Sequence, residues 1–286
     1  MRDIPKFQTL RAFLRHLEGE GGFARVATPV SLVHEITEIH RRVLVAGGPA
    51  LEFSAAHGPR GRAEMPVITN LFGTEARVAA GLGVKRERVV ELGEILAALR
   101  EPAPVDGFRD ALSRWPMVRA ALATRPNIVS APPCQAERRL GANVDLGRLP
   151  IQTCWPDEPA PLITWPLVIT RPPDAGMEET GHYNTGIYRM QALGKDKAIL
   201  RWLAHRGGAK HHRNWALRGE NMPVAVAIGA DPATILSAAL PLPETVSELR
   251  FSGVLRGERP RLAPALTVPL MVPADAEIIL EGWVSP

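Results

Sequence analysis

Phe7, Leu10, Leu14 and Leu17 recur at helical intervals and predict an amphipathic helix that stops at Gly19, Gly21 and Gly22. Leu32, Ile36, Ile39 and Val43 share one face of a second helix, with Ser31 as its cap and Gly47-Gly48 as its end. Residues 65–72 read as a short buried strand, and 74–82 and 91–99 as helices. Further along, 162–170 and 183–193 predict strands, and the β-branched and alanine-rich run 224–230 a fully buried one. That last strand leads into Asp231-Pro232-Ala233-Thr234, where Asp can cap a helix and Pro fits its first turn. A helix is expected over 209–217 and a final strand around Glu277 and Glu281. The stretch 197–205 reads two ways: its apolar content suits a helix, whereas alternation in steps of two puts Arg201, Leu203 and His205 on one side of a strand.

With 286 residues, 45% apolar and 22% charged, the chain can bury a core, which excludes fibrous and wholly disordered classes. Its length suggests two domains. The 27 prolines argue for many loops and strand edges rather than a bundle of long helices, and they crowd the stretch 101–161. A boundary is expected near residue 125, giving domains 1–125 and 126–286. Cys134 and Cys154 lack partners at zinc spacing and read as ordinary thiols of a reducing compartment. Charges interrupt the N-terminus, so no signal peptide is expected, and the most apolar run, 224–242, contains Asp231, Pro232 and Pro241. A soluble, cytoplasmic protein is the expectation.

Charge narrows the chemistry. Between Lys195 and Arg213 stand six cations against one acid, so this stretch carries +5 and the rest of the chain is net negative by one. A local positive cluster suits a small polyanion better than an extended nucleic-acid track, so no nucleic-acid partner is expected, although a merely solvated basic face gives the same pattern. Within and around it, three stretches hold polar residues that packing explains poorly. In Asn184–Arg189 a glycine allows close approach to the backbone, and in Arg201–Gly208 a glycine pair before a helix offers N–H groups to a phosphate, beside Arg201 and Arg206. The third, Pro243–Glu248, carries an acid with no local basic partner before Arg250. An amide oxygen from Asn184, an imidazole from His205 and a carboxylate from Glu248 suit a Mn²⁺-like ion that also takes a phosphate oxygen; the lack of thiolates argues against structural zinc. Their spacings of 21 and 43 residues match no local metal motif. Singly, Asn184 also reads as a turn residue, His205 as a core histidine and Glu248 as a surface acid. His211 and His212 are adjacent on a helix, diverge, and are expected to face solvent.

NTGIYRMQ (184–191), RWLAHRGGA (201–209), GADPATIL (229–236), SELRFSGVLRG (247–257) and VPADAEIILEG (272–282) together resemble the UbiD family of prenylated-flavin-dependent decarboxylases, in its 3-polyprenyl-4-hydroxybenzoate carboxy-lyase branch. The resemblance implies an α+β fold, an N-terminal α/β domain followed by a split β-barrel flavin-binding domain, with 198–204 as a barrel strand. It implies metal ligands at Asn184, His205 and Glu248, holding Mn²⁺ (with K⁺ as a further ion) against the phosphate of prenylated FMN. Ile187, Tyr188, Arg189, Arg201, Trp202, Leu203, Arg206 and Gly207 then fall where the family contacts that cofactor, and Arg189 near the reacting carboxylate as the catalytic residue. The implied activity is non-oxidative decarboxylation of an aromatic acid, 3-polyprenyl-4-hydroxybenzoate in ubiquinone biosynthesis, with other aromatic or α,β-unsaturated acids, or flavin and metal binding without turnover, as alternatives. Implied partners are the aromatic carboxylic acid, a flavin prenyltransferase that supplies the cofactor, and further copies in a homo-oligomer; a lipid-like substrate also suggests peripheral contact with the inner face of the membrane. The family's proton donor comes from an acidic stretch following the segment that matches 281–286, so this chain alone is expected to be weak or inert; neither Glu277 nor Glu281 is expected to replace that donor.

Overall fold

A computed structural model of the chain describes residues 6–90, 93 and 124–286. The expected helix 91–99 and the prolines at 102, 104 and 116 lie outside the described residues. In the first part, helix α1 (Leu10–Gly19) begins where the Thr9 hydroxyl accepts the Ala12 N–H at 3.1 Å, and it buries Leu10, Phe13 and Leu17. Then come β1 (Phe23–Val26), β2 (Val30–Ser31), α2 (Glu35–Val45), β3 (Ala50–Phe53), β4 (Ala56–Gly58), β5 (Gly61–Arg62), β6 (Val67–Thr69) and α3 (Glu75–Gly81). β1 runs parallel to β3, which pairs antiparallel with β6; β2, β4 and β5 form a second small sheet. Helix α2 starts three residues later than the apolar spacing suggests. Leu32 donates its N–H to His57 O at 2.7 Å, so the sheet holds it in extended form, and Ser31 serves that turn rather than the helix: its Oγ accepts the Val33 N–H and its own N–H goes to Glu35. His34, not Ser31, is the residue before the first turn, at φ 66°.

From residue 124 the chain runs through loops and 3₁₀ turns, in keeping with its prolines, and contributes β7 (Asn127–Ile128). The expected strand 162–170 is two, β8 (Leu162–Ile163) and β9 (Leu167–Thr170), because Pro166 interrupts the run. The expected strand 183–193 also divides, into β10 (Asn184–Ile187) and β11 (Met190–Ala192), and Tyr188-Arg189 is the corner at which the chain changes sheets. β12 (Ala198–Leu200), α4 (Gly207–Ala216), β13 (Met222–Ile228), α5 (Pro232–Ser237), α6 (Glu248–Arg256), β14 (Arg261–Pro264), β15 (Met271–Pro273) and β16 (Ile278–Val284) complete the described elements. The ambiguous stretch is thus a short strand followed by a loop, and the strand implied over 198–204 spans only its first three residues. The glycine pair lies inside the first turn of α4 rather than ahead of it. Glu281 lies in β16, as expected, and Glu277 just before it.

Two antiparallel sheets organise this part, β10-β9-β13-β16 and β12-β11-β8. Asp231 caps α5 through the N–H groups of Ala233 and Thr234 and forms a buried ion pair with Arg256 at 2.5 Å. The largest core joins Phe13 and Leu17 of α1 to Leu167, Ile169, Ala225, Ala227, Leu249 and Met271, so the first helix is packed on the four-stranded sheet of the second half. Val30, Ile36, Leu51, Phe53 and Val67 form a separate cluster. The architecture is mixed α+β. No described helix is long and apolar enough to cross a membrane.

Candidate functional site

Three chain segments meet at the start of β10. Asn184 opens the strand, opposite Thr170 of β9. The helix α4 abuts it so closely that a Cβ on Gly207 would lie 2.1 Å from Asn184 Oδ1, so only glycine fits there. From the third side, Glu248 in the first turn of α6 accepts the Thr185 N–H at 2.8 Å through Oε2. Asn184 and Glu248, 64 residues apart in sequence, are therefore held around one peptide.

The electrostatics of Glu248 are unusual. Burial pushes its carboxyl up to about 7, against the opposing pull of the Thr185 N–H and of its own backbone N–H. Among the described residues no cation offsets the burial, and Arg250 turns away to Thr180 Oγ1 at 3.1 Å. The neighbouring hydroxyls of Thr185 and Ser247 are buried and make no hydrogen bond. Glu248 is thus not the surface acid of the simpler reading. His205 stands exposed in the turn two residues before Gly207. Among the described residues no three His, Cys, Asp or Glu side chains group closely enough to hold a metal, so an ion here needs the Asn184 amide oxygen. The two thiols are kept from ionising: burial pushes Cys134 up to about 11 and raises Cys154 as well.

The remaining sequence candidates divide by burial. Tyr188 is buried, its ring edge-on to the half-buried Trp202, while Ile187 packs at the margin of the main core. Arg189, Arg201, Leu203 and Arg206 are exposed, and the Arg201 N–H donates to Arg189 O at 3.2 Å, so these two arginines neighbour each other across β11 and β12. Arg206, just before α4, makes no side-chain cap bond and the first turn holds no acid, so this end is electropositive although the Tyr188 hydroxyl accepts the Gly208 N–H at 3.2 Å. His211 and His212 are each half-buried rather than solvent-facing. His211 Nδ1 is 2.9 Å from Thr170 Oγ1, and burial, aided by the Lys210 charge, lowers it to about 4. His212 bonds Ser285 O at 2.8 Å and tilts against Trp202. Sequence reasoning missed Thr170, His211 and the two orphaned hydroxyls; none carries a local signal, because each partner is distant in sequence.

Residues 127–286 match the family model for the 3-octaprenyl-4-hydroxybenzoate carboxy-lyase Rift-related domain, and residues 14–96 match the model for the N-terminal domain of the same family. An evolved dimeric form of the UbiD-class enzyme HmfF from Pelotomaculum thermopropionicum, solved with prFMN, is similar at 29% identity and a TM-score of 0.77, over 98% of this chain and 58% of that one. Vanillic acid decarboxylase of Sedimentibacter hydroxybenzoicus, in its closed form, shares the fold at 24% identity and a TM-score of 0.81, over 99% of this chain and 56% of that one. The 3,4-dihydroxybenzoic acid decarboxylase of Klebsiella pneumoniae does so at 23% identity and 0.76, over 98% and 55%. The mixed fold is accordingly one shared with UbiD-class decarboxylases. The chain belongs to the UbiD family. It spans a little more than half the length of the solved structures it matches.

Proposed function

We propose that the chain carries the N-terminal and flavin-binding domains of a UbiD-class carboxy-lyase acting on an aromatic acid, with 3-polyprenyl-4-hydroxybenzoate as its substrate. The observation that carries this reading is the junction of Asn184, Gly207 and Glu248. In it, residues 126–286 are the flavin-binding split barrel and 1–125 the preceding domain. The similar HmfF structure contains prFMN, which supports the cofactor. So does the basic start of α4 beside Arg201 and Arg206, suited to a phosphate.

The donor set also fits a divalent cation of the Mn²⁺ type. An amide oxygen and a carboxylate are hard ligands, and a carboxyl that burial has pushed up to about 7 is relieved by a bound positive charge. Asn184 and Glu248 would hold the ion, with His205, exposed in the turn before α4, as the third ligand. Prenylated FMN, when bound, supplies the electron sink that cleavage of an aryl–CO₂ bond needs. Arg189 orients the substrate carboxylate by charge-assisted hydrogen bonds, since a guanidinium fork matches its two oxygens. Trp202 and Leu203 give the apolar wall that excludes water from the reacting face.

Reconstitution tests the reading. The 286-residue chain should bind FMN and Mn²⁺ together and should lose the metal on Glu248→Ala. Failure to bind either FMN or Mn²⁺ refutes the reading.

A further inference from the structure

Strands β11 and β12 form an antiparallel ribbon whose register sorts its side chains onto two faces. Met190 pairs with Leu200 and Ala192 with Ala198, whereas Gln191 pairs with Ile199 on the opposite side. Met190, Ala198 and Leu200 pack in one apolar cluster with Ile163, Tyr188 and Trp202, so theirs is the inner face. The same register continues beyond both ends of the ribbon: the Arg201 N–H donates to Arg189 O at 3.2 Å, and the Leu193 N–H to Lys197 O at 2.9 Å. By alternation the outer face therefore carries, in order, Arg189 beside Arg201, Gln191 beside Ile199, and Leu193 beside Lys197. Ile199 and Leu193 are each 54% exposed. A single exposed aliphatic needs no explanation, but these two stand in line with the arginine pair, at about 7 and 13 Å along the ribbon from it.

From this placement we infer that the outer face of the ribbon receives the isoprenoid tail of the substrate, and that Ile199 and Leu193 are the residues that distinguish a tailed acid from a bare one. The inference rests on the proposed substrate and on Arg189 as the group that takes its carboxylate. A prenylated 4-hydroxybenzoate is charged at one end and apolar at the other, and the face repeats that order: two guanidinium groups first, then two branched aliphatic side chains. An anchored carboxylate sets where the tail can begin, and the tail then covers aliphatic surface that the protein leaves open to water. Each methylene so covered is worth about fourfold in affinity.

The test compares two soluble probes, 3-geranyl-4-hydroxybenzoate and 4-hydroxybenzoate, by equilibrium dialysis against the full chain loaded with FMN. The geranyl acid should bind about 10-fold more tightly or better. Ile199→Thr keeps a β-branched strand residue and exchanges an ethyl group for a hydroxyl; it should weaken the geranyl acid about 10-fold and leave 4-hydroxybenzoate within about twofold. Leu193→Ser should act in the same direction. Leu217→Gln removes a leucine that is 86% exposed at the far end of α4 and should change neither acid. Equal affinity of the unmutated chain for the two acids, an undiminished geranyl preference in Ile199→Thr, an equal loss of both acids, or a matching loss in Leu217→Gln each overturns the inference, the last by showing that the tail adheres without a site. An unmutated chain that binds neither acid, or binding that Arg189→Ala leaves unchanged, instead brings down the carboxylate reading of Arg189, and this inference with it.

Discussion

Acid should loosen helix α4 from strand β9, and His211 sets the pH at which it does so. Nδ1 of this half-buried imidazole lies 2.9 Å from Thr170 Oγ1; its charged neighbours are Lys210, which disfavours protonation, and Glu244, which favours it and is itself paired with Lys210. In the folded chain it ionises at about 4, against 6.5 for an unperturbed histidine, and burial is the main cause. Between these two values the unfolded chain binds a proton that the folded chain does not. The contribution to stability is therefore complete above about pH 6.5 and is lost as the pH falls toward about 4. Integrated from pH 7 to 5, the loss is about 2 kcal/mol. His211→Gln retains a hydrogen-bonding group opposite Thr170 without a titrating one. Urea unfolding followed by tryptophan fluorescence at both pH values should show the natural chain losing about 2 kcal/mol more than the variant. If the two proteins lose stability in parallel, the imidazole is not held neutral by its packing and the reasoning fails.

Gly207→Ala drives a Cβ to 2.1 Å from Asn184 Oδ1, so Mn²⁺ binding should disappear while the circular dichroism of the fold is retained; undiminished binding in a titration contradicts the tight junction. Glu248→Gln keeps an oxygen to accept the Thr185 N–H but removes the charge, and should abolish Mn²⁺ binding without lowering the melting temperature. Asp231→Ala strands the buried Arg256 and uncaps α5, so chemical denaturation should register a loss of about 3–5 kcal/mol, and one below about 1 kcal/mol would show the pair to be dispensable. Arg206→Ala should weaken FMN about 10-fold or more, read by flavin fluorescence quenching, if the start of α4 receives the phosphate.

What the sequence made legible was local. Asp231 caps the helix expected of it because a cap needs only the next three residues. The corner at Tyr188-Arg189 was not legible: residues 183–193 have strand composition throughout, and the break arises because the first half pairs with β9 and the second with β8 and β12. The same limit hid the start of α2, where pairing of Leu32 with the strand at His57 overrides helical spacing. For His211 and His212 the helix phase correctly said that the two diverge. It could not say that one direction ends on β9 and the other on the chain terminus and Trp202. Asn184 and Glu248 were singled out through the motifs they belong to, whereas the geometry joining them depends on a bond to the backbone of Thr185 that residue type does not reveal.

Unsatisfied polar groups gather at that junction, independently of any motif. Among the described residues the buried side-chain atoms without a partner are Thr69 Oγ1, Asn70 Oδ1, Thr185 Oγ1, Ser247 Oγ and Arg256 Nε. Two of these five directly flank Glu248, in a region that also forces a carboxyl up to about 7. Each orphaned group costs about 1–3 kcal/mol. An apolar residue at 248 would remove the charge penalty but would leave the Thr185 N–H without its acceptor, so the carboxylate is kept at a cost in burial that a bound cation, as proposed above, would relieve.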